Sequence, residues 1–91
     1  IFLSDNRLTG SIPESIGKIS TLNQLDLSNN LLNGSIPASL GNSTNLNYLN
    51  LRNNKLSGEM LSSINCRSLR VLDLSQNYLN GSIPSLWASN K

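Results

Sequence analysis

Histidine is missing altogether, cysteine occurs once at Cys66, and aromatic residues fill only 4% of the 91 positions. Without histidine there is no imidazole to serve as a general base or to ligate a metal, and one cysteine can form neither an internal disulfide nor a Cys-x-x-Cys site. No cofactor is implied. So few aromatics exclude a core built around large ring anchors. Charged residues are also sparse at 13%, which argues against charge-driven disorder. The small net charge of +2 comes from Arg7, Lys18, Arg52, Lys55, Arg67, Arg70 and Lys91, scattered along the chain. No basic block could track a nucleic-acid backbone. No apolar run reaches membrane-spanning length, and the first residues show no charged-then-apolar leader. Any membrane tether is expected in segments outside this chain.

What fills the composition is leucine, asparagine and serine, and they recur in order. The stretch Ile1 to Pro13 lines up with Leu25 to Pro37, with Leu49 to Leu61 and with Leu72 to Pro84. One asparagine falls at 6, 30, 54 and 77, and a glycine at 10, 34, 58 and 81, both with steps of 24, 24 and 23. A fixed period of this length is the signature of a solenoid. The short step arises where Leu40-Gly41-Asn42-Ser43-Thr44-Asn45-Leu46 becomes Ile64-Asn65-Cys66-Arg67-Ser68-Leu69.

Each recurring position has a physical reason. Leu22-x-x-Leu25-x-Leu27 alternates with period two, the pattern of a half-buried strand. The strands are expected to centre near Leu3, Leu27, Leu51 and Leu74. Where the chain then turns, backbone groups point into a dry interior. An inward amide has two donors and an acceptor to satisfy them, so Asn6, Asn30, Asn54 and Asn77 are expected to form a buried ladder. Gly10, Gly34, Gly58 and Gly81 supply a conformation that a side chain disfavours. Pro13, Pro37 and Pro84 stiffen extended segments after the inward Ile12, Ile36 and Ile83. Ile16, Leu40, Ile64 and Trp87 complete each turn, and Cys66 reads as a small core residue.

The resulting pattern, LxxLxLxxNxLxGxIPxxLGxL, resembles the plant-specific class of leucine-rich repeats along essentially the whole chain. The Leu-x-Gly-x-Ile-Pro segment distinguishes that class from the generic repeat. The resemblance implies an α/β solenoid, a right-handed superhelix with a parallel sheet on its concave side. A short second strand is implied at the LxGxIP segment, with otherwise irregular or 3-10 structure and little regular helix. One domain spans 1–91 in four turns (1–21, 22–45, 46–68 and 69–91), expected to be a piece of a longer repeat array because neither end has a cap. Leu61 in place of proline, Met60 in place of isoleucine and the deletion before Cys66 depart from the pattern and should loosen the third turn.

With the leucines inward, alternate strand positions face outward on the concave sheet. The ligand-binding candidates are Gln24, Asp26, Ser28, Tyr48, Asn50, Arg52, Val71, Asp73 and Ser75, which vary from turn to turn as a recognition surface must. Phe2, Ser4, Asp5, Asn29, Asn53 and Gln76 also face out. Tyr48 and Arg52 lead, because these residue types are enriched in binding hot spots. A second exposed face has two polar ladders, Thr9–Asn33–Ser57–Asn80 and Ser11–Ser35–Glu59–Ser82, of the kind an ice- or carbohydrate-facing plane would need. Three Asn-x-Ser/Thr sequons, at Asn33, Asn42 and Asn80, are possible N-glycosylation sites and favour an extracellular location. Asp26 and Asp73, two strands apart, are the only carboxylate pair with a spacing near that of inverting glycosidases. An open face without an apolar pocket cannot set their pKa values apart, so no catalysis is expected.

Members of the resembled family include ectodomains of plant receptor-like kinases and receptor-like proteins, polygalacturonase-inhibiting proteins and an antifreeze protein. The function expected is therefore non-enzymatic binding of a peptide or protein, in an extracellular or cell-surface module of a receptor-like protein. The partner could be a ligand, a co-receptor or a secreted enzyme. The alternatives are inhibition of a cell-wall-degrading enzyme and ice binding.

Overall fold

A computed structural model describes residues 1–59 and 68–80. Strands β1 (Gln24–Asp26), β3 (Tyr48–Asn50) and β5 (Val71–Asp73) form a parallel three-stranded main sheet. Gln24 stands opposite Tyr48 and Tyr48 opposite Val71, so pairing follows the sequence repeat in register. The first turn joins in parallel at the bridge of Phe2 to Asp26, through backbone bonds from Leu3 N–H to Asp26 O at 2.8 Å and from Asp26 N–H to Ile1 O at 2.9 Å. Four strands centred near Leu3, Leu27, Leu51 and Leu74 were expected. The regular pairing instead comprises three strands centred two residues earlier, on Leu25, Leu49 and Leu72. Backbone bonds from Leu27 N–H to Asn50 O and from Leu51 N–H to Asp73 O (both 2.9 Å) carry the contact further. The extended conformation then ends abruptly, because Asn29, Asn53 and Gln76 adopt φ of 57°, 59° and 59°.

A second sheet is made of β2 (Asn33–Gly34), β4 (Lys55–Glu59) and β6 (Tyr78–Asn80), also parallel. Here the register slips. Asn33 pairs with Lys55 and Ser57 with Tyr78, and Ser11 bridges to Asn33. The expected rows Thr9–Asn33–Ser57–Asn80 and Ser11–Ser35–Glu59 are therefore not directly opposed. The actual rows mix Ser11, Asn33 and Lys55, or Ser57 and Tyr78, which removes the regular small-polar plane. Within this second sheet Gly34 and Gly58, and Gly10 just before the bridged Ser11, take φ of 78°, 85° and 83°. That region is costly for any residue with a Cβ, and at Gly34 an added Cβ would also press to 3.3 Å from Ser11 Cβ.

The third side of the coil has two 3-10 helical turns, Glu14–Lys18 and Ala38–Asn42. Pro13 and Pro37 precede them with extended backbones, and their carbonyls accept from Ile16 and Leu40 N–H at 3.1 Å. Gly17 lets these turns stack, since a Cβ there would meet the Ser39 side chain and backbone.

Leu25, Leu40, Leu46, Leu49, Leu51 and Leu56 are fully buried, and Ile12, Leu22, Leu27, Leu32, Ile36, Leu69 and Leu74 complete the core. The expected asparagine ladder is present at Asn30 and Asn54, both buried. Asn54 Oδ1 accepts the Leu32 N–H at 3.1 Å, and its Nδ2 donates to Leu27 O at 3.0 Å and Leu51 O at 3.1 Å. Asn30 repeats the arrangement with Leu8 N–H, Leu3 O and Leu27 O. Asn77 does so with Leu56 N–H, Leu51 O and Leu74 O, but is only half-buried. Asn6, expected inside, is exposed: it reaches only Leu3 O and Ser4 O of its own turn. Ile1, Leu3 and Leu8, the counterparts of buried leucines, are exposed on the same side. The expectations for Met60, Leu61, Ile64, Cys66, Gly81, Ser82, Ile83, Pro84 and Trp87 fall outside the described residues.

Candidate functional site

The outward face of the main sheet has a direct cross-strand row Gln24–Tyr48–Val71 and, next to it, the row Asp26–Asn50–Asp73, with Phe2 bridged to Asp26. Every second residue of a strand faces the same way, so Ser28, Arg52 and Ser75 come next on each turn. Gln24, Arg52, Val71 and Ser75 are exposed, and Asp26, Tyr48, Asn50 and Asp73 are half-buried. Ser28 is a correction: it is 5% exposed. Its hydroxyl and N–H both donate to Asp26 Oδ1, at 2.6 and 3.0 Å, so the side chain folds back and presents no free group.

That fold-back repeats with variation. Ser75 donates both its hydroxyl and its N–H to Asp73 Oδ1. In the middle turn Asn50 Oδ1 accepts the Arg52 N–H at 3.0 Å, which leaves the guanidinium free to reach Ser75 Oγ at 2.9 Å. Such side-chain to backbone bonds two residues on are a common habit of Asp and Asn. They fix the side chains before any ligand arrives, which lowers the ordering cost of binding. Across the strands the Tyr48 hydroxyl donates to Asp26 Oδ2 at 3.5 Å and accepts from Asn50 Nδ2 at 3.3 Å.

Arg52 Nη1 lies 3.9 Å from Asp73 Oδ2, with the two side chains 49% and 36% exposed. An ion pair this open contributes little to stability and stays available to a partner. Partial burial pushes the Asp73 carboxyl up, but the bonds from the Ser75 hydroxyl and N–H and the charge of Arg52 outweigh it. The group therefore rests below its ordinary value and remains an anion down to acidic pH.

A second ladder, visible only in the structure, borders this face. Asn29 Nδ2 donates to Asp5 Oδ1 and Asn53 Nδ2 to Asn29 Oδ1, both at 2.9 Å. These exposed residues share the left-handed backbone conformation, which Asp and Asn tolerate best among residues with a Cβ. The sequence signal was the Asp or Asn directly before each ladder asparagine in the first three turns. Beside it runs a shallow cleft of about 450 Å³, whose lining includes Arg7, Leu31, Lys55 and Tyr78. None of the four was singled out from the sequence, because the staggered register that gathers them has no signature there. Of the sequon residues, Asn33 and Asn42 are exposed, and the side chain of Asn80 falls outside what is described. Among the described residues no group of three Asp, Glu or Cys is placed to hold a metal.

Family comparisons agree with this geometry. A family model described as "Leucine rich repeat" matches residues 1–56, and a second of the same description matches residues 68–90. No curated protein sequence matches. Among solved structures, the BIR3–SERK2 complex from Arabidopsis thaliana aligns with 97% of this chain at 46% identity and a TM-score of 0.84. The Arabidopsis receptor kinase HAESA, in complex with the peptide hormone IDA and the co-receptor SERK1, aligns with 96% at 35% identity and 0.90. The PEPR1–AtPEP1 structure aligns with 97% at 40% identity and 0.91. The chain spans only 48%, 15% and 12% of the respective matched chains. With one family model matching more than half of the chain and the turns superimposing on those of receptor-kinase ectodomains, this protein belongs to the leucine-rich repeat family, in its plant receptor-like group.

Proposed function

We propose that this chain is a ligand-recognition segment of a plant receptor-like ectodomain, exposed at the cell surface, which binds a peptide or a partner protein on its main sheet. The observation that carries the reading is the preorganised face itself. The scaffold repeats leucine for leucine, while the outward row Gln24–Tyr48–Val71 changes at every turn and the middle turn puts Asn50 and Arg52 where its neighbours have Asp and Ser. Several of them are already held in one hydrogen-bonded network. The similar structures of HAESA with a peptide hormone and a co-receptor, and of PEPR1 with AtPEP1, support this use of the fold. The mixture of carboxylates, amides, a phenol and a guanidinium suits a polar extended peptide better than an apolar small molecule.

Three regular strands spaced by about 4.8 Å span far less than a standard protein interface needs. This segment therefore contributes part of a larger recognition surface and binds weakly by itself. The test is to select peptides from a displayed random library against the chain, then compare their binding to variants by surface resonance. Tyr48→Ala and Arg52→Ala should weaken binding at least tenfold, with Thr9→Ala and Ser57→Ala unchanged. If the selected peptides instead lose binding to Thr9→Ala and Ser57→Ala, the recognition surface is the second sheet and the proposal fails.

A further inference from the structure

We propose that Asn42 carries an N-linked glycan and that it is a better acceptor than Asn33. The inference rests on the extracellular placement proposed above but concerns a different side of the coil. Asn42 is the last residue of the second 3-10 turn and is exposed between two buried neighbours, Gly41 and Ser43. Ser43 is anchored: its hydroxyl donates to Gly17 O at 3.2 Å and its N–H to Leu40 O at 3.4 Å. With both flanks held inward, the Asn42 side chain is directed out to solvent, and its amide takes part in none of the hydrogen bonds among the described residues. Thr44, which supplies the hydroxyl of this Asn-x-Thr sequon, is also exposed.

Next to Asn42 lies a shallow depression of about 240 Å³ whose lining includes Lys18, Ser20, Thr44 and Asn45. The first sugar of a glycan can settle there against hydroxyl, amide and ammonium groups. Asn33 is exposed as well, but in a different setting. It sits in the second sheet with Ser11 opposite on one side and Lys55 on the other, so a sugar would have to lie across both neighbouring strands. Its sequon also ends in Ser35 rather than threonine.

The modification needs an oligosaccharide on a lipid pyrophosphate carrier, the donor of the secretory pathway. Asn42 Nδ2 bonds to the anomeric carbon, the bond from that carbon to the pyrophosphate oxygen breaks, and one Nδ2 proton is released. The glycan would then stand on the helical side of the coil and leave the Tyr48–Arg52 face open.

The test is to secrete the chain from a eukaryotic host behind an added leader and map each sequon by peptide mass after enzymatic deglycosylation. Occupancy at Asn42 should exceed that at Asn33, and should vanish in both Asn42→Gln and Thr44→Ala. The second variant keeps the asparagine but removes the hydroxyl that the transferase reads. Circular dichroism of both variants should match the wild type, because neither exposed side chain supports the core. Asn42 unmodified, or less occupied than Asn33, overturns the proposal. Peptide binding separates the two readings: Asn42→Gln should bind as wild type does, whereas failure of the ligand proposal would show only in Tyr48→Ala and Arg52→Ala.

Discussion

Replacing Asn54 by alanine removes four bonds at once and tests the packing logic of the whole coil. Its Oδ1 is the acceptor for the Leu32 N–H, and its Nδ2 serves Leu27 O, Leu51 O and, at 3.4 Å, Arg52 O. Leu27, Leu32 and Leu51 are all at most 5% exposed, so water cannot replace the lost partner without opening the core. The stranded Leu32 N–H alone costs about 1–3 kcal/mol, and two further bonds lost near 1 kcal/mol each bring the total to roughly 3–5 kcal/mol. That is a large part of the stability of a domain this size. The natural comparison, Asn53, needs care. It is exposed, yet its φ of 59° means that alanine there would cost about 1 kcal/mol of backbone strain. Asn53→Gly is the cleaner control and should change stability by less than about 1 kcal/mol. Urea unfolding followed by circular dichroism gives both values. If Asn54→Ala falls within about 0.5 kcal/mol of Asn53→Gly, the buried ladder does not hold the turns together and the reasoning is refuted.

Other outcomes follow from the same geometry. Asn6→Ala should cost under about 1 kcal/mol by the same urea assay, because Asn6 is exposed and bonds only to its own turn. Gly17→Ala should destabilise by about 1–3 kcal/mol, since the new Cβ meets Ser39 backbone that cannot swing aside; a neutral thermal shift would contradict that close approach. The Asp73 carboxyl is lowered in the folded state, so it contributes stability that is present above the unfolded carboxylate value, near 3.9, and lost as pH falls through the folded value. Wild type should therefore exceed Asp73→Asn in unfolding midpoint near neutrality, with the gap closing below about pH 4; a gap that does not change with pH would count against the assignment. Finally, Arg52→Ala should leave the unfolding free energy within about 0.5 kcal/mol, as expected when a weak exposed ion pair is removed.

The repeat made most of the interior legible. The inward leucines of the second and third turns, the asparagine ladder at Asn30 and Asn54 and the unusual backbone at Gly10, Gly34 and Gly58 follow from residue type and period, and stand where the pattern placed them. The misses arise where a side chain's surroundings, in its own turn or in the neighbouring one, decide its place. Asn6 has the right residue in the right slot, but its burial depends on a neighbouring turn. The regular strands centre on Leu25 and Leu49 rather than Leu27 and Leu51 because the chain bends into the left-handed residues Asn29 and Asn53 just beyond them. Ser28 looked like any outward serine, and only the Asp26 carboxylate two residues back shows why it is covered. The stagger of the second sheet left no trace in the spacing at all, since a repeat fixes which residues are equivalent and not which ones are opposed.

The ladder asparagines also give the coil a direction. Asn30, Asn54 and Asn77 each take an N–H from 21 or 22 residues back and give to carbonyls of that same earlier turn, and among the described residues none reaches forward to the next. The backbone bonds of the main sheet run both ways between turns, but this side-chain part of the coupling is written by the later turn onto the earlier one, like links that hook backwards. Damage at one site should travel the same way. In amide hydrogen exchange, Asn54→Ala should deprotect the Leu32 N–H in the preceding turn while the Leu56 N–H, held by Asn77, keeps its protection. A chain pulled from its two ends would then come apart between turns, one hook at a time, rather than unravel within any single turn.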